Sequence, residues 1–365
     1  MSSCEAIGRV TEVKCRVAVS AESVANDWLF NFSASYTGGG YKRLRAFAEV
    51  LERKGGASFI VHPRCAHLAT EYPANRYFVV WQSRIERLLD DASYLESVVN
   101  AVGKTTLYYA YGVPIYHRCA EVNWFHLSNA LPLALRDIPT TTFEWCKMQF
   151  LGKRIRRYLV NADVISAESG FALGLLDGGQ LSKRVVSVNG GDDVLAAVRA
   201  TNSIPASDFA TAVGTYRYKA LDDTLRIFAS LRRYDESLRL RIIGEINDVA
   251  RRVGRDPSVD LMGSISPQEV LACLGSSRYY ISMSRIENSS NATLEGVCLA
   301  QKSILSDIAP HRELLRNWAF DKVRIPAVKV PVLKVERPPL AAVDLRTWES
   351  VVDDIEKHVR GFANA

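Results

Sequence analysis

No stretch of this 365-residue chain approaches the roughly 18 uninterrupted apolar residues that cross a bilayer, and the opening MSSCEAIGRVTEVKCRV lacks the apolar core of a secretory leader. A protein folded in the cytoplasm is therefore expected. Cysteine is scarce: Cys4, Cys15, Cys65, Cys119, Cys146, Cys273 and Cys298 form no CxxC and no close Cys/His pair. An odd count in a long chain argues against a disulfide framework, and the spacing against a structural zinc site, so these read as reduced thiols. Charge of one sign is not concentrated either. The net charge of +6 suits a phosphate-bearing ligand or an anionic bilayer surface but is too thin for a nucleic-acid stripe, and no zinc-finger or RNP-type motif is present. Low-complexity tracts are also missing, and 48% hydrophobic with 24% charged residues is an ordinary globular composition. At roughly 150 residues per domain the length fits about two domains.

What the chain does have is alternation. Apolar runs rich in β-branched and aromatic residues predict strands at 28–34, 58–63, 76–81, 106–112, 122–128 and 164–169, with helices over 41–54, 83–102, 144–160 and 170–177. VRATNSIPASD (198–208) mixes turn formers with small residues and reads as an interdomain linker. A second series follows, with strands at 209–215, 238–244, 259–263, 279–284 and 303–307 and helices over 220–234, 246–253, 266–277 and 292–300. Ser266-Pro267-x-Glu269 opens one of these helices with a capping serine, a proline at the first position and an early acid. The tail is broken by proline over 325–339 and then returns to an amphipathic helix at 345–362, with Trp348, Val351, Val352, Ile355 and Val359 on one stripe. The pattern predicts an α/β protein with two Rossmann-like doubly wound domains facing a central cleft. Residues 1–197 and 198–340 form the two domains, and 341–365 a helix packing back on the first.

Ligands of such sheets bind at the carboxyl ends of the strands. One segment there stands out, YYISMSRIENSSNATLEGVCLAQKSILSDIAPHREL (279–314), in which Glu287 and Glu295 lie eight positions apart. On one helix they would be about 80° apart. The Asn and Ser run between them favours a cap, which puts Glu287 in a loop and Glu295 in the first turns of a helix beginning near Ser290 and Asn291. That helix start offers free N–H groups to a diphosphate, and the carboxylates can accept hydrogen bonds from sugar hydroxyls. Taken alone, a solvated loop beside a helix cap explains the same residues.

Glu287-x7-Glu295 after an apolar strand, followed by SILSDIAPHREL, resembles the donor-site signature of the retaining GT-B glycosyltransferases of the family-4 type. YTGGGYKRL (36–44), NADVISAESGFALGLL (161–176), SVNGGDD (187–193) and AVGTYRYKALDDTLRIFASL (212–231) resemble further pieces of that family in the same order, covering about residues 28 to 315. The resemblance implies that Glu295 binds the ribose hydroxyls, that Glu287 lies against the transferred sugar, and that Lys219 neutralises the donor diphosphate. Asn288, Ser289, Ser290, Asn291, Thr293 and Gly214 line the donor site by the same comparison. Thr215 stands where the family usually has arginine, with Arg217 as a candidate substitute. Gly39, Gly40 and Tyr41 fall on its diphosphate and acceptor loop, and His126 on its polar position at a strand end, with Asn129 beside it. Asp307, His311 and Glu313 close the site wall.

The implied activity is metal-independent, retaining transfer of a hexose, with a lean towards GDP-mannose and its relatives, to a hydroxyl of a growing glycan such as a surface polysaccharide or lipopolysaccharide. Neither cofactor nor metal is implied. The partners are a nucleotide-sugar donor, a glycan or lipid-linked glycan acceptor, and an anionic membrane met by the basic amphipathic helix at 145–160, on the inner face of the cytoplasmic membrane. That helix carries Lys147, Lys153, Arg154, Arg156 and Arg157. A sugar-nucleotide epimerase on the same scaffold and a catalytically silent nucleotide-binding subunit remain as alternatives.

Overall fold

The computed structural model describes residues 16–19, 26–81, 93–135, 138, 141–176, 182–201 and 207–363. Cys4, Cys15, residues 83–92 of one expected helix, residue 177 of another and 202–206 of the expected linker lie outside the described residues.

The first half is built on β1 (Arg16–Val19), β2 (Trp28–Phe32), α1 (Gly38–Arg53), β3 (Ser58–Val61), α2 (Leu68–Glu71), β4 (Arg76–Trp81), α3 (Ser93–Val102), β5 (Leu107–Tyr111), β6 (Val122–Leu127), α4 (Thr142–Tyr158), β7 (Val164–Ala167), α5 (Gly170–Gly174) and β8 (Lys183–Val186). Its sheet has the order β1-β4-β3-β2-β5-β6-β7-β8, and only the pairing of β1 with β4 is antiparallel. Every residue of β5 and β6 is buried, the polar Asn123 and His126 of β6 included, so both faces are covered, as parallel strands between two helix layers require. β8 is short and mostly exposed with Lys183 and Arg184 on it, an edge strand without the apolar run that marks the others.

The second half starts with α6 (Asp192–Thr201), so residues 198–201 are helix and not linker. Val194 and Val198 pack with Leu271, Val297 and Leu299 of the second core, and Thr201 fills the space beside Gly275. Then follow β9 (Ser207–Val213), α7 (Leu221–Arg232), β10 (Arg239–Ile243), α8 (Asp248–Val253), β11 (Val259–Gly263), α9 (Pro267–Gly275), β12 (Ser277–Ser282), α10 (Asn291–Leu299), β13 (Lys302–Ser306), α11 (Ala309–Leu314), β14 (Asp321–Val323), β15 (Val332–Glu336) and α12 (Trp348–Ala363). The sheet order is β11-β10-β9-β12-β13-β15-β14, parallel through β13. α9 begins with a full capping box between Ser266 and Glu269.

α12 does not stay with the second sheet. Trp348, Val351, Val352, Ile355 and Val359 are buried in the core cluster of the first, where Trp348 meets Phe47 of α1 edge-on at 6.1 Å. Lys54 at the end of α1 reaches Asp353 at 2.6 Å.

Strand order reverses between β2 and β5 in the first sheet and between β9 and β12 in the second. Such switch points open a crevice beyond the strand ends, where the two crossover helices diverge. The sequences leaving β2, β9 and β12 are the glycine-rich turn, the Gly214–Lys219 turn and the Glu287–Asn291 loop.

Candidate functional site

The turn after β9 is held by its own backbone chemistry. Gly214 takes φ +94, and a side chain there would strike Lys219 Cε at 2.9 Å. Thr215 is buried and donates its hydroxyl to the Glu245 carbonyl at 2.7 Å, while Asn247 Nδ2 donates to the Thr215 carbonyl at 3.0 Å. Its side chain is thus committed to the turn. A 3-10 turn over Arg217–Lys219 follows, then Ala220 at φ 47, a left-handed conformation costly for a residue with a Cβ. The result aims Lys219 inward: Nζ donates to Glu287 Oε1 at 2.6 Å, with only 12% and 9% of the two side chains exposed. Arg217 stays exposed.

Glu287 lies in the loop after β12 and Glu295 in the second turn of α10. Asn288 crosses to the first half, donating from Nδ2 to the Leu127 carbonyl at 2.7 Å. Ser289 is half-buried beside it. Ser290 caps α10 by accepting from the Thr293 amide at 3.2 Å. Asn291 Oδ1 accepts from Asn189 Nδ2 at 2.9 Å. Thr293 turns away from the cleft: it is fully buried, between the Tyr280 hydroxyl at 3.5 Å and His311 Nε2 at 3.4 Å.

α1 starts opposite α10. A Cβ on Gly39 would lie 2.9 Å from Asn291 Nδ2, and one on Gly40 would press on Ser35 at 3.0 Å and on the Tyr111 ring at 3.3 Å. Thr37 gives α1 no side-chain cap, and neither α1 nor α10 carries an acid in its first turn. Two positive helix ends therefore converge where the Gly39 and Asn291 surfaces touch, an arrangement suited to a diphosphate. Tyr41, one residue on, instead reaches His67 Nε2 at 3.0 Å.

Lys42 is the link that the sequence reading did not single out. Its Nζ lies 2.8 Å from Glu295 Oε1 and 2.7 Å from Asp193 Oδ2. Burial alone would lower its pKa, but the two carboxylates outweigh it and hold the ammonium above its ordinary value. Glu295 ends above the usual carboxylate range because burial outweighs Lys42.

Deeper in the first half sits a polar cluster. His126, at the end of β6, is fully buried, stacked on Tyr111 at 5.1 Å, with Nδ1 2.8 Å from Ser166 Oγ. Ser166 Oγ also accepts from Trp124 Nε1 at 2.7 Å; a neutral imidazole that takes the Ser166 proton on Nδ1 carries its own hydrogen on Nε2. Nε2 has no hydrogen-bond partner among the described residues, with Glu168 Oε1 3.9 Å away. Burial, helped by the Arg43 charge, holds His126 well below its ordinary pKa, so it is neutral. Glu168 accepts from the Tyr111 hydroxyl at 3.0 Å and is pushed up by burial against the pull of Arg43. Arg43 is itself fully buried, donating to Asn189 Oδ1 at 2.9 Å and to Ser187 Oγ at 2.8 Å, with its guanidinium 5.0 Å from the Phe47 ring centre.

On the remaining wall, Glu313 accepts from the amides of Gly170 at 2.6 Å and Phe171 at 3.2 Å, capping a helix of the opposite half. His311 donates from Nδ1 to the Ser306 carbonyl at 2.8 Å, and burial lowers its pKa although Glu287 pulls it up. Asp307 is paired with Lys322 at 2.6 Å, and Asn129 accepts from the Leu131 amide at 2.9 Å, so both are spent locally. The cleft thus gathers Lys219, Glu287, Asn288, Asn291, Glu295, Gly39 and, behind them, His126, and leaves Thr215, Thr293, Tyr41, Asp307 and Asn129 in supporting roles. Lys42, Arg43, Glu168, Asn189 and Asp193 were not anticipated. Their signal was present: each falls inside a segment that carried the family resemblance.

No family model and no curated protein matches the chain. Solved structures do. A sucrose-phosphate synthase from Thermosynechococcus elongatus aligns with TM-score 0.62 at 13% identity over 93% of this chain and 100% of the other. A glycosyltransferase from Rickettsia africae aligns with TM-score 0.52 at 13% identity over 78% and 80%. A glycosyltransferase of avilamycin A biosynthesis gives 0.51 at 12% over 90% and 91%. The chain has the GT-B fold. In GT-B terms, the two switch points described above are the two walls of the interdomain cleft. Among the described residues no helix is long and apolar enough to cross a membrane, and no group of three or more His, Cys, Asp or Glu could hold a metal ion.

Proposed function

We propose that this GT-B protein is a retaining, metal-independent glycosyltransferase of the family-4 type, moving a hexose from a nucleoside-diphosphate sugar to a hydroxyl of a growing glycan in the cytoplasm. The observation that carries the reading is the meeting of Lys219, Glu287 and the α1 and α10 starts in one cleft. Similarity in fold to a sucrose-phosphate synthase and to two proteins named as glycosyltransferases supports it.

In this reading the diphosphate sits across the two helix starts with Lys219 beside it, and Glu295 turns from Lys42 to the ribose hydroxyls. The neutral His126 offers Nε2–H to a sugar hydroxyl, and Glu287 accepts from another. The bond from the anomeric carbon to the phosphate oxygen breaks, the acceptor oxygen bonds to the same face, and its proton passes to the departing diphosphate. Negative charge grows on the phosphate oxygens as that happens, and a fixed cation with helix amides stabilises it. The SDIAPHREL segment inclines the donor towards GDP-mannose or a rhamnose-type relative, and a surface polysaccharide or lipopolysaccharide is the product class.

Thermal shift of the purified protein with GDP, UDP, dTDP and their sugars, with and without EDTA, tests this. A ligand at 100 times its Kd adds about 2.7 kcal/mol. Stabilisation by one base that survives EDTA and is lost in Lys219→Ala is the expected result; no stabilisation by any of them removes the reading. The committed Thr215 side chain favours one second reading, a silent subunit, which would bind nucleotide and transfer nothing.

A further inference from the structure

Among the exposed large apolar side chains, four cluster at α4: Phe143 (78% exposed), Trp145 (49%), Phe150 (42%) and, just past its end, Val160 (79%). Seven residues make nearly two helical turns, so Phe143, Phe150 and Arg157 lie along one exposed line and Cys146, Lys153 and Val160 along the next. Between Thr142 and Tyr158 there are five cations and one acid, Glu144, which is most of the charge excess of the whole chain. Elsewhere arginines at the surface commonly rest on carboxylates, as Arg239 does on Asp260 and Arg118 on Asp163. Lys147, Lys153, Arg156 and Arg157 have no carboxylate partner among the described residues. The opposite face of the same helix is the anchored one: Ile155 is buried, and Met148 packs against the cluster of Leu131 and Ile286 that spans the cleft.

We propose that α4 docks this protein on an anionic bilayer, its exposed aromatic rings entering the interface and its exposed cations meeting lipid phosphates. Aromatic rings flanked by cations, on a helix whose other face is packed, match the chemistry of a charged lipid surface. A protein partner would be expected to meet these cations with specific carboxylates, whereas a bilayer needs only phosphate density. Because Met148 borders the cleft, docking there brings that side of the cleft to the membrane. This inference does not depend on the transferase reading.

Cosedimentation of the full chain with phosphatidylcholine vesicles, with and without phosphatidylglycerol, decides it. The expected result is uptake by the phosphatidylglycerol vesicles alone, weakened roughly tenfold or more in Phe143→Ser/Phe150→Ser and in Lys153→Glu/Arg157→Glu. Both variants should keep the wild-type Tm and nucleotide response, since the altered side chains face solvent. Absence of uptake overturns the proposal. So does uptake unchanged by the phenylalanine pair, which would mean charge adsorption only. Self-association that the phenylalanine variant abolishes, without vesicle uptake, would assign the face to a second copy instead.

Discussion

The Lys219–Glu287 contact separates binding from stability at the scale of single residues. Both side chains are nearly buried, so removing one leaves the other charged and poorly solvated, at a cost of about 3 kcal/mol. Lys219→Ala should therefore lower both stability and transfer, the latter by roughly a hundredfold or more. Lys219→Ala/Glu287→Gln should regain most of the Tm and none of the activity, read by calorimetry and a donor-turnover assay. The two buried histidines predict a pH slope. His126 and His311 are both held below the ordinary value near 6.5, chiefly by burial. Unfolded chains then take up protons that the folded state refuses, so stability is unaffected above that value and falls as pH drops below it, by at most about 1.4 kcal/mol per pH unit and group. Glu168 acts in the opposite sense: its raised folded pKa means that stability is regained as pH falls from that value towards the ordinary carboxylate range. Tm measured from pH 7.5 to 5.5 should decline, and His126→Gln should flatten the decline; an unchanged slope would show that the imidazole is not held neutral.

The elements divide by what marked them in the sequence. Strands buried on both faces, such as LYYAY and the central YFVV of RYFVVW, were legible because burial on two sides forces a continuous apolar run. β8, with Lys183 and Arg184 exposed at an edge, carried no such run, and α6 was hidden because turn formers next to it resemble a linker. The start of α10 was legible from Ser290 and Asn291, since only caps use side chains of that kind so compactly. Its two glycine contacts predict different outcomes. A methyl on Gly296 would meet the Tyr280 ring at 2.3 Å, so Gly296→Ala should cost about 1–3 kcal/mol and lower Tm. A methyl on Gly39 meets only the mobile end of Asn291, so Gly39→Ala should leave Tm within a degree or two and instead weaken donor binding by displacing the Asn189–Asn291 bridge. Equal Tm losses in the two variants would show that the α1–α10 approach is structural only.

At the scale of the whole molecule, the cleft itself was legible but the contacts across it were not, because they join residues far apart in the chain: Lys42 to Glu295, Glu313 to Gly170, Asn288 to Leu127. Periodicity reports which face of an element is buried, not which distant element covers it. The amphipathic stripe of α12 illustrates this: Trp348, Val351, Val352, Ile355 and Val359 marked an apolar face, while its place against Phe47 is a property of the folded chain. Five such side chains, at roughly 1.5–3 kcal/mol each, contribute roughly 7–15 kcal/mol, as much as the entire net stability of a typical domain. The ion pairs at its rim count for far less, since Lys54 and Asp353 are exposed to solvent and such pairs give about 0–1 kcal/mol. Ending the chain before Trp348 should therefore yield a first domain without fixed tertiary packing, seen as lost near-UV dichroism and early elution on gel filtration, whereas Asp353→Ala should shift Tm by no more than about 2 °C. A truncated chain that kept its near-UV signal would mean that α1 and the first sheet close their own core, and that α12 is an accessory and not the strap that ties the two domains together.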